Sequence, residues 1–389
     1  MIHLVCTESG ERYPASEPRW RSVSGLLLDL EFSPRLDPAR VAGRRPTLWR
    51  YREAIPIEAD ENIVTFDEGF TPLLPVTFAG RTILVKQEHL FPTGSYKDRG
   101  ASILISKARE LGVRRVVQDS SGNAGCSVAT YCARAGIACD VYVPEETAAG
   151  KLVQIRFTGA HLHLVPGSRE DTAQAAMKAA GKMYYASHCW NPFFLHGTKT
   201  FAYEVCEQLG WRAPDTVVLP AGNGTLVLGA SLGFGELCEA GIISHTPKIV
   251  GVQAAACAPL FSAWKSGSTS LTSIHKGYTM AEGIAIAEPV RGAQVLRAVT
   301  SSGGEMVTVE EEEIAEALKI VCRQGYYIEP TAAATIAGLL KYLPRSSSDE
   351  MIVSVFTGHG LKSTEKMKAL LEKNNPSQTS LERMQSHEL

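Results

Sequence analysis

Short apolar runs alternate with glycine-rich turns and alanine-rich stretches along most of the chain. Apolar runs that end at glycine, proline or small polar residues are typical of buried strands, and the alanine-rich stretches between them are typical of helices. This alternation predicts an α/β fold with parallel sheets. The predicted strands cover residues 81–86, 115–118, 138–143, 160–165, 216–219, 248–253 and 351–356.

The stretch 91–100, Phe-Pro-Thr-Gly-Ser-Tyr-Lys-Asp-Arg-Gly, predicts a turn followed by a helix. Residues 92–94 are typical of a turn, and Ser95 followed three residues later by Asp98 has the form of a helix-capping box. The helix is predicted from Tyr96 to about Leu111. Its apolar stripe comprises Ala101, Leu104, Ala108 and Leu111.

Lys97 falls in the first turn of that predicted helix. The positive end of the helix dipole lies there, so an ammonium group is disfavoured and a neutral amine is favoured. A neutral lysine can act as nucleophile and base, and Schiff-base chemistry needs both roles. Judged by charge alone, the alternative is a surface lysine beside solvated Asp98 and Arg99.

Two further turns lie between a predicted strand and a predicted helix. The first, residues 119–125, contains Ser120, Ser121, Gly122 and Asn123. Serine and asparagine start helices well without any further role, but hydroxyl and N–H groups at a helix N-terminus also form an anion cradle. A substrate carboxylate would fit such a cradle.

The second turn, residues 220–225, reads Pro-Ala-Gly-Asn-Gly-Thr. A strand, a glycine turn and a helix in this order gather backbone N–H groups on a phosphate. Gly222, Gly224 and Val227 lack the third glycine of a dinucleotide fingerprint, which argues against a nicotinamide cofactor.

The stretch 92–100 resembles the Schiff-base motif of fold-type II pyridoxal-phosphate enzymes, and most closely that of the threonine synthase branch, which usually has Phe where Tyr96 stands. Further motifs of that family follow in the expected order at residues 119–125, 220–225, 329–333 and 357–362. The resemblance implies an α/β fold of fold type II, tryptophan synthase β-like. It has two parallel-sheet αβα domains, with pyridoxal 5'-phosphate in the cleft between them.

The resemblance also implies a role for individual residues. Lys97 would hold the cofactor as a Schiff base and then take the substrate's α proton. Thr357 would face the pyridine nitrogen, where a neutral hydroxyl suits elimination and replacement better than transamination. The implied cofactor-binding residues are Lys97, Asn123, Gly222, Asn223, Gly224, Thr225 and Thr357, and the implied substrate-binding residues are Ser120, Ser121, Gly122 and Lys199.

The reaction implied is γ-elimination of phosphate from O-phospho-L-homoserine and β-addition of water to give L-threonine. Two residues depart from the substrate-phosphate pattern: Phe194 stands where related bacterial sequences have Arg, and Leu226 where they have Asn. Arginine binds phosphate bidentately, and phenylalanine cannot.

Two other classes of function stay open. These departures, with Glu282-Gly283, favour a β-elimination or β-replacement enzyme, dehydratase-like or cysteate synthase-like. A non-catalytic cofactor-binding protein is a third hypothesis, and the intact lysine, substrate loop and Thr357 argue against it.

The N-terminal segment resembles a degenerate zinc ribbon. Cys6 and residues 22–25 are spaced like the two knuckles that many threonine synthase-like chains carry, but serines stand where the three further thiolates would be. Serine hydroxyls are poor zinc ligands, so we expect no metal. The expected division is an extension at 1–45, a large cofactor domain at 46–97 and 199–374, a small substrate-loop domain at 98–198, and a polar tail at 375–389.

Composition excludes several classes of partner. The 389 residues are 44% hydrophobic and carry a net charge of −2, so a large core is expected and a basic field for nucleic acid or membrane binding is not. No apolar run approaches the roughly 20 residues of a membrane span, and no secretory signal is visible.

Nine scattered cysteines indicate a reducing compartment. We expect a cytoplasmic enzyme for a small amino-acid substrate, and the resemblance implies a homodimer. Six cysteines are predicted to be buried: Cys126, Cys132, Cys206, Cys238, Cys257 and Cys322.

Overall fold

The computed structural model of the chain describes residues 2–147, 149–167 and 169–374. Its strands are β1 (His3–Cys6), β2 (Arg12–Pro14), β3 (Leu28–Glu31), β4 (Leu73–Phe78), β5 (Arg81–Lys86), β6 (Arg115–Gln118), β7 (Ala138–Pro144), β8 (His161–Val165), β9 (Tyr184–Tyr185), β10 (Thr216–Pro220), β11 (Lys248–Ala254), β12 (Glu305–Val309) and β13 (Ile352–Val355).

The helices alternate with these strands over most of the chain. They are α1 (Pro38–Ala42), α2 (Lys97–Glu110), α3 (Asn123–Ala135), α4 (Ala149–Phe157), α5 (Arg169–Ala179), α6 (Pro192–Thr198), α7 (Thr200–Gln208), α8 (Thr225–Glu239), α9 (Pro259–Lys265), α10 (Gly292–Ser301), α11 (Glu311–Arg323), α12 (Pro330–Tyr342) and α13 (Thr364–Asn374).

The larger sheet has the strand order β12-β11-β10-β13-β5-β4 and is parallel except for β4 at its edge. Alternate residues of β10 belong to two apolar clusters. Val217 and Leu219 pack with residues of α7, α8 and α10, whereas Val218 packs with residues of α11 and α12. Because helices cover both faces of the sheet, this strand needs an unbroken apolar run.

The smaller sheet is parallel throughout and has the order β8-β7-β6-β9. Val116 of β6 and Val141 of β7 share an apolar core with residues of α2 and α3. The helix that begins at Lys97 therefore packs on the smaller sheet, although its first residues lie beside the larger one.

A third, antiparallel sheet of order β2-β1-β3 forms the N-terminal ribbon, residues 2–32. Arg291, at the start of α10, has a fully buried side chain that donates hydrogen bonds to Asp29 and the Leu28 carbonyl of the ribbon. The same guanidinium binds the carbonyls of Cys189 and Trp190. The ribbon is thus attached to both the α10 region and the chain that leads into α6.

All the predicted strands are present with ends within one residue of the prediction, and α2 begins and ends one residue inside its predicted range. The strands β4, β9 and β12 were not predicted, nor were the individual strands β1, β2 and β3 of the ribbon-like segment. Of the six cysteines expected to be buried, Cys238 and Cys322 are only half-buried. The predicted tail at 375–389 lies outside the described residues. Among the described residues, no helix is long and apolar enough to cross a membrane.

Candidate active site

Three neighbouring parallel strands bring the main candidate residues to one edge of the larger sheet. The strands β10, β13 and β5 lie side by side. The turn 221–224 follows β10, Thr357 follows β13, and the segment that leads to Lys97 follows β5. Ligands of parallel sheets bind outside the carboxyl ends of the strands, so these residues lie where a site is expected.

Tyr96 and Lys97 connect these segments directly. The Lys97 Nζ donates to the Tyr96 hydroxyl and lies 3.3 Å from Thr225 Oγ1. The Tyr96 hydroxyl is 3.0 Å from the same Thr225 oxygen. The backbone N–H of Tyr96 donates to the Thr357 carbonyl at 3.1 Å. The lysine amine is therefore placed between the glycine turn and the end of β13, and it is half-buried.

The predicted capping box of α2 is wrong. The Asp98 carboxylate accepts hydrogen bonds from the Thr93 N–H at 2.8 Å, the Thr93 hydroxyl and the Ser127 hydroxyl. The Ser95 hydroxyl is buried and has no partner among the described residues. Burial raises the pKa of Asp98 to about 6, although its three hydrogen bonds oppose the shift. The alternative of solvated Asp98 and Arg99 is also wrong, because both are fully buried.

Arg99 lies at the centre of a buried ionic network. Its guanidinium makes two hydrogen bonds to Glu88, at 2.6 and 2.7 Å, and two to Glu204, at 2.7 Å each. A fifth reaches the Thr200 hydroxyl at 2.9 Å, and Lys86 Nζ lies 2.8 Å from Glu204. Burial would raise the pKa of Glu204, but Arg99 and Lys86 lower it. The network fixes the first turns of α2 against β5 and α7.

The turn 221–224 has room only for glycine at two positions. A Cβ on Gly222 would lie 2.8 Å from the Gly283 carbonyl, and one on Gly224 would lie 2.1 Å from Val295. Gly224 also has a positive φ of 76°, which favours glycine. The turn ends at Thr225, where α8 begins with the unpaired N–H groups of a helix N-terminus. The Asn223 amide nitrogen is 3.5 Å from His188 Nε2.

The loop that is predicted to bind the substrate, residues 119–122, leads into α3 beside the smaller sheet. Ser120 and Ser121 are half-buried, and Gly122 is exposed. The Asn123 side-chain amide donates to both carboxylate oxygens of Glu329, at 3.0 and 3.1 Å. Sequence reasoning did not include Glu329 among the site residues, although it begins the motif 329–333, which was the available signal.

Lys199 does not join this site. Its side chain is fully buried, and its Nζ lies 2.8 Å from Glu236 Oε1. Burial lowers the pKa of Lys199, and Glu236 opposes this shift. A buried ammonium that is already paired is not available to a substrate anion, so the expected role of Lys199 is not supported.

The two residues that depart from the phosphate pattern are fully buried in apolar surroundings. A Cβ on Gly100 would lie 2.4 Å from the Phe194 ring, so the ring packs directly on α2. The same ring makes an edge-to-face contact with the His188 ring, at a centroid distance of 5.9 Å. Leu226 lies in the apolar cluster beneath α8. Neither side chain can bind an anion.

The other predicted site residues, around Lys97, the glycine turn and Thr357, suit the binding of pyridoxal phosphate. The N-terminus of α8, with its glycine turn, suits a phosphate, and Lys97 supplies the amine for an aldehyde. Ser95 and Thr357 have buried hydroxyls without partners among the described residues, and such groups normally acquire a partner when the site is filled. Ser95 pairs through its backbone with Gly358, so both hydroxyls lie near the end of β13.

Comparisons with known proteins give matches over most of the chain. The family described as pyridoxal-phosphate dependent enzyme matches residues 64–358. The threonine synthase of Methanocaldococcus jannaschii is 37% identical over 372 residues, covering 92% of each chain. That of Methanosarcina acetivorans is 35% identical over 376 residues, covering 93% of this chain and 92% of its own.

Two solved structures resemble the fold. The processed threonine deaminase isoform 2 of Solanum lycopersicum superposes with a TM-score of 0.67 and 22% identity, covering 87% of this chain and 93% of its own. Maize serine racemase gives a TM-score of 0.64 and 20% identity, covering 74% and 89%. At these identities the likeness concerns the fold alone.

Proposed function

Because the chain belongs to the pyridoxal-phosphate-dependent enzyme family, as a lyase of fold type II, we propose that it is a threonine synthase acting on O-phospho-L-homoserine. The substrate and water would give L-threonine and inorganic phosphate. The observation that carries the proposal is the convergence at Tyr96 and Lys97, where one amine lies beside Thr225 and one backbone N–H binds Thr357.

Each candidate residue would have a distinct task in this reaction. Lys97 would bond the cofactor and, once the substrate amine has displaced it, its Nζ would take the α proton. The hydroxyls of Tyr96 and Thr225 hold that Nζ in place. The bound cofactor supplies delocalisation of the negative charge that develops at the α carbon. Thr357 would offer its hydroxyl to the ring nitrogen.

The substrate loop would bind the α-carboxylate. Ser120, Ser121 and Gly122 precede the N-terminus of α3, where hydroxyl and N–H groups favour an anion. Asn123, and the phosphate turn of Gly222, Asn223, Gly224 and Thr225, would hold the cofactor itself. We place the cofactor in the cleft between a large domain, 46–97 and 199–374, and a small domain, 98–198, of a cytoplasmic homodimer.

A second candidate function is β-elimination or β-replacement on a hydroxy amino acid or its phosphate ester. The specific observation that favours it is the buried, apolar setting of Phe194 and Leu226, together with the ion pair that occupies Lys199. Of these substrates, the free hydroxy amino acids, serine and threonine, have no phosphate and would not need a cation there.

A substrate panel separates the two candidates. Purified holoenzyme is offered O-phosphohomoserine, O-phosphoserine, serine and threonine, and threonine, phosphate and 2-oxo acid are measured. We expect threonine and phosphate in equal amounts from O-phosphohomoserine. Formation of 2-oxo acid from serine or threonine, with no threonine from O-phosphohomoserine, would overturn the first candidate in favour of the second.

The cofactor assignment has its own test. Lys97→Ala should abolish the visible absorbance of the lysine-bound cofactor together with turnover. The matched control is Lys182→Ala, a change at an exposed lysine, which should keep both. Wild-type protein without visible absorbance after addition of pyridoxal phosphate would contradict the proposal.

A further inference from the structure

We propose that Glu329 is a positioning residue of the active site, which orients Asn123 and thereby seats the substrate loop against the cofactor. The inference rests on the proposed cofactor chemistry and not on the identity of the substrate. Glu329 begins the motif 329–333 but is not among the residues for which the family resemblance implies a role.

The first argument is the direction of the Glu329 side chain. Glu329 stands at the N-cap of α12, where a carboxylate ordinarily accepts hydrogen bonds from the first N–H groups of its own helix. Its side chain makes no such bond. Both oxygens instead accept from the Asn123 amide at the start of α3. The carboxylate therefore links α12, on the larger sheet, to the substrate loop beside the smaller one.

The second argument is the space made for this carboxylate. Only 7% of Glu329 is exposed. A Cβ on Gly358 would lie 2.3 Å from the carboxylate carbon and from one of its oxygens. The Glu329 N–H also donates to the Gly358 carbonyl at 2.9 Å. The chain that carries Thr357 therefore passes so close to Glu329 that only glycine fits, which fixes the carboxylate relative to the ring-nitrogen partner.

The third argument is electrostatic. Within the described residues Glu329 forms no ion pair, so the neutral Asn123 amide is the partner of a buried acid. Burial raises the pKa of Glu329, whereas Asn123 and the more distant cations of Lys362, Lys97 and Lys366 lower it. Removing a charged carboxylate from water is costly unless it is hydrogen-bonded, so the orientation of Asn123 and the charge of Glu329 depend on each other.

These observations define what the pair does. An amide nitrogen carries two hydrogens, and Glu329 takes up the nitrogen side of Asn123. That fixes which end of the amide faces the carboxylate. One N–H shared between the two Glu329 oxygens would leave the second N–H for the cofactor. Without Glu329 the amide can turn, and the N-terminal turn of α3, which would bind the substrate carboxylate, loses its link to α12.

The first experiment needs no turnover. Hydrogen–deuterium exchange is followed in cofactor-free protein for wild type, Glu329→Ala, Glu329→Gln and a control, Glu310→Gln. Glu310 is the N-cap residue of α11 and makes a capping box within its own helix. We expect Glu329→Ala to speed exchange in residues 119–126 about tenfold, corresponding to the loss of one charge-assisted hydrogen bond, and the control to leave this segment unchanged. Unchanged exchange in residues 119–126 for both Glu329 variants would overturn the proposal.

The second experiment is a double-mutant cycle with Asn123→Ala. Cofactor affinity of the apoenzyme, the ratio of visible to near-ultraviolet absorbance of the bound cofactor, and the split between kcat and KM are measured. We expect Glu329→Ala to weaken cofactor binding about tenfold in the wild-type background and less than about twofold in the Asn123→Ala background. Glu329→Gln keeps the shape and should show a smaller change of the same sign, which keeps the test valid if the alanine variant does not fold.

Failure of the positioning role and failure of the proposed function give different results. The positioning role would be overturned if Glu329→Ala weakened cofactor binding equally in the wild-type and Asn123→Ala backgrounds, because a purely structural contribution adds independently of Asn123. If the alanine variant does not fold, the same criterion applies to Glu329→Gln. A wild-type protein that binds no pyridoxal phosphate would instead contradict the proposed function, and the exchange experiment would then still report on the contact itself.

Discussion

Arg99→Met should destabilise the protein far more than a typical substitution. The change removes a fully buried guanidinium and its five hydrogen bonds. Glu88 and Glu204 would then face each other with only Lys86 as a counter-charge. Removing one partner of a buried ion pair costs about 3–5 kcal/mol, and Arg99 serves two carboxylates, so we expect a loss of at least about 4 kcal/mol in the free energy of unfolding.

The measurement is urea unfolding of cofactor-free protein followed by tryptophan fluorescence. The matched control is Arg45→Met, because Arg45 also pairs with a carboxylate, Asp67, at 2.8 Å, but the two side chains are 77% and 53% exposed. That change should cost no more than about 1 kcal/mol. The free energy of unfolding of a typical domain is only about 5–15 kcal/mol. The loss expected for Arg99→Met is therefore a substantial part of the total.

A second variant keeps the test informative if Arg99→Met does not fold. Arg99→Met with Glu204→Gln removes one of the two stranded carboxylates and should recover part of the lost stability. The reasoning is refuted if Arg99→Met costs no more than the Arg45 control, or if the added Glu204→Gln makes the protein less stable still.

Three further predictions concern packing, pH and the ribbon. The Cβ introduced by Gly100→Ala would lie 2.4 Å from the Phe194 ring, so this change should lower the free energy of unfolding by about 1–3 kcal/mol. Adding Phe194→Leu should recover part of that loss in thermal unfolding, and additive losses would speak against the contact. The pKa of Asp98 rises from 3.8 to about 6 on folding, so the native state binds the extra proton. Wild type should therefore lose about 2 kcal/mol relative to Asp98→Asn between pH 4 and pH 7, and a difference that stays constant with pH would contradict this. Asp29→Ala removes a carboxylate that pairs with buried Arg291 at 2.6 Å, and limited proteolysis should then cut the ribbon faster; an unchanged cleavage rate would be evidence against this attachment.

The strands and the main helix of the site could be predicted because their signals are local. The run 217–219 is apolar without interruption, and the turn at Gly222 and Gly224 carries the glycines that its close approaches require. Strands β9 and β12 were missed for the converse reason. β9 has two residues, and the apolar residues of β12, an edge strand, are interrupted by Thr308, so neither contains the apolar run on which the prediction depends.

The errors at the site have a common physical origin in contacts between distant parts of the chain. Asp98 has the spacing of a cap, but Ser127 competes for its carboxylate. Lys199 has the charge of an anion site, but Glu236, on another helix, neutralises it in the core. Glu329 was missed because its partner, Asn123, is 206 residues away. Local spacing contains no information about such partners.

The attachment of the N-terminal ribbon to Arg291 gives the segment a structural role. Serines stand at three of the four ligand positions of the motif that the segment resembles, and serine hydroxyls are poor zinc ligands. Deleting it would nevertheless strip Asp29 and the Leu28 carbonyl from a guanidinium that has no access to water. Whatever its metal content, the ribbon therefore contributes a counter-ion to a buried cation of the main fold.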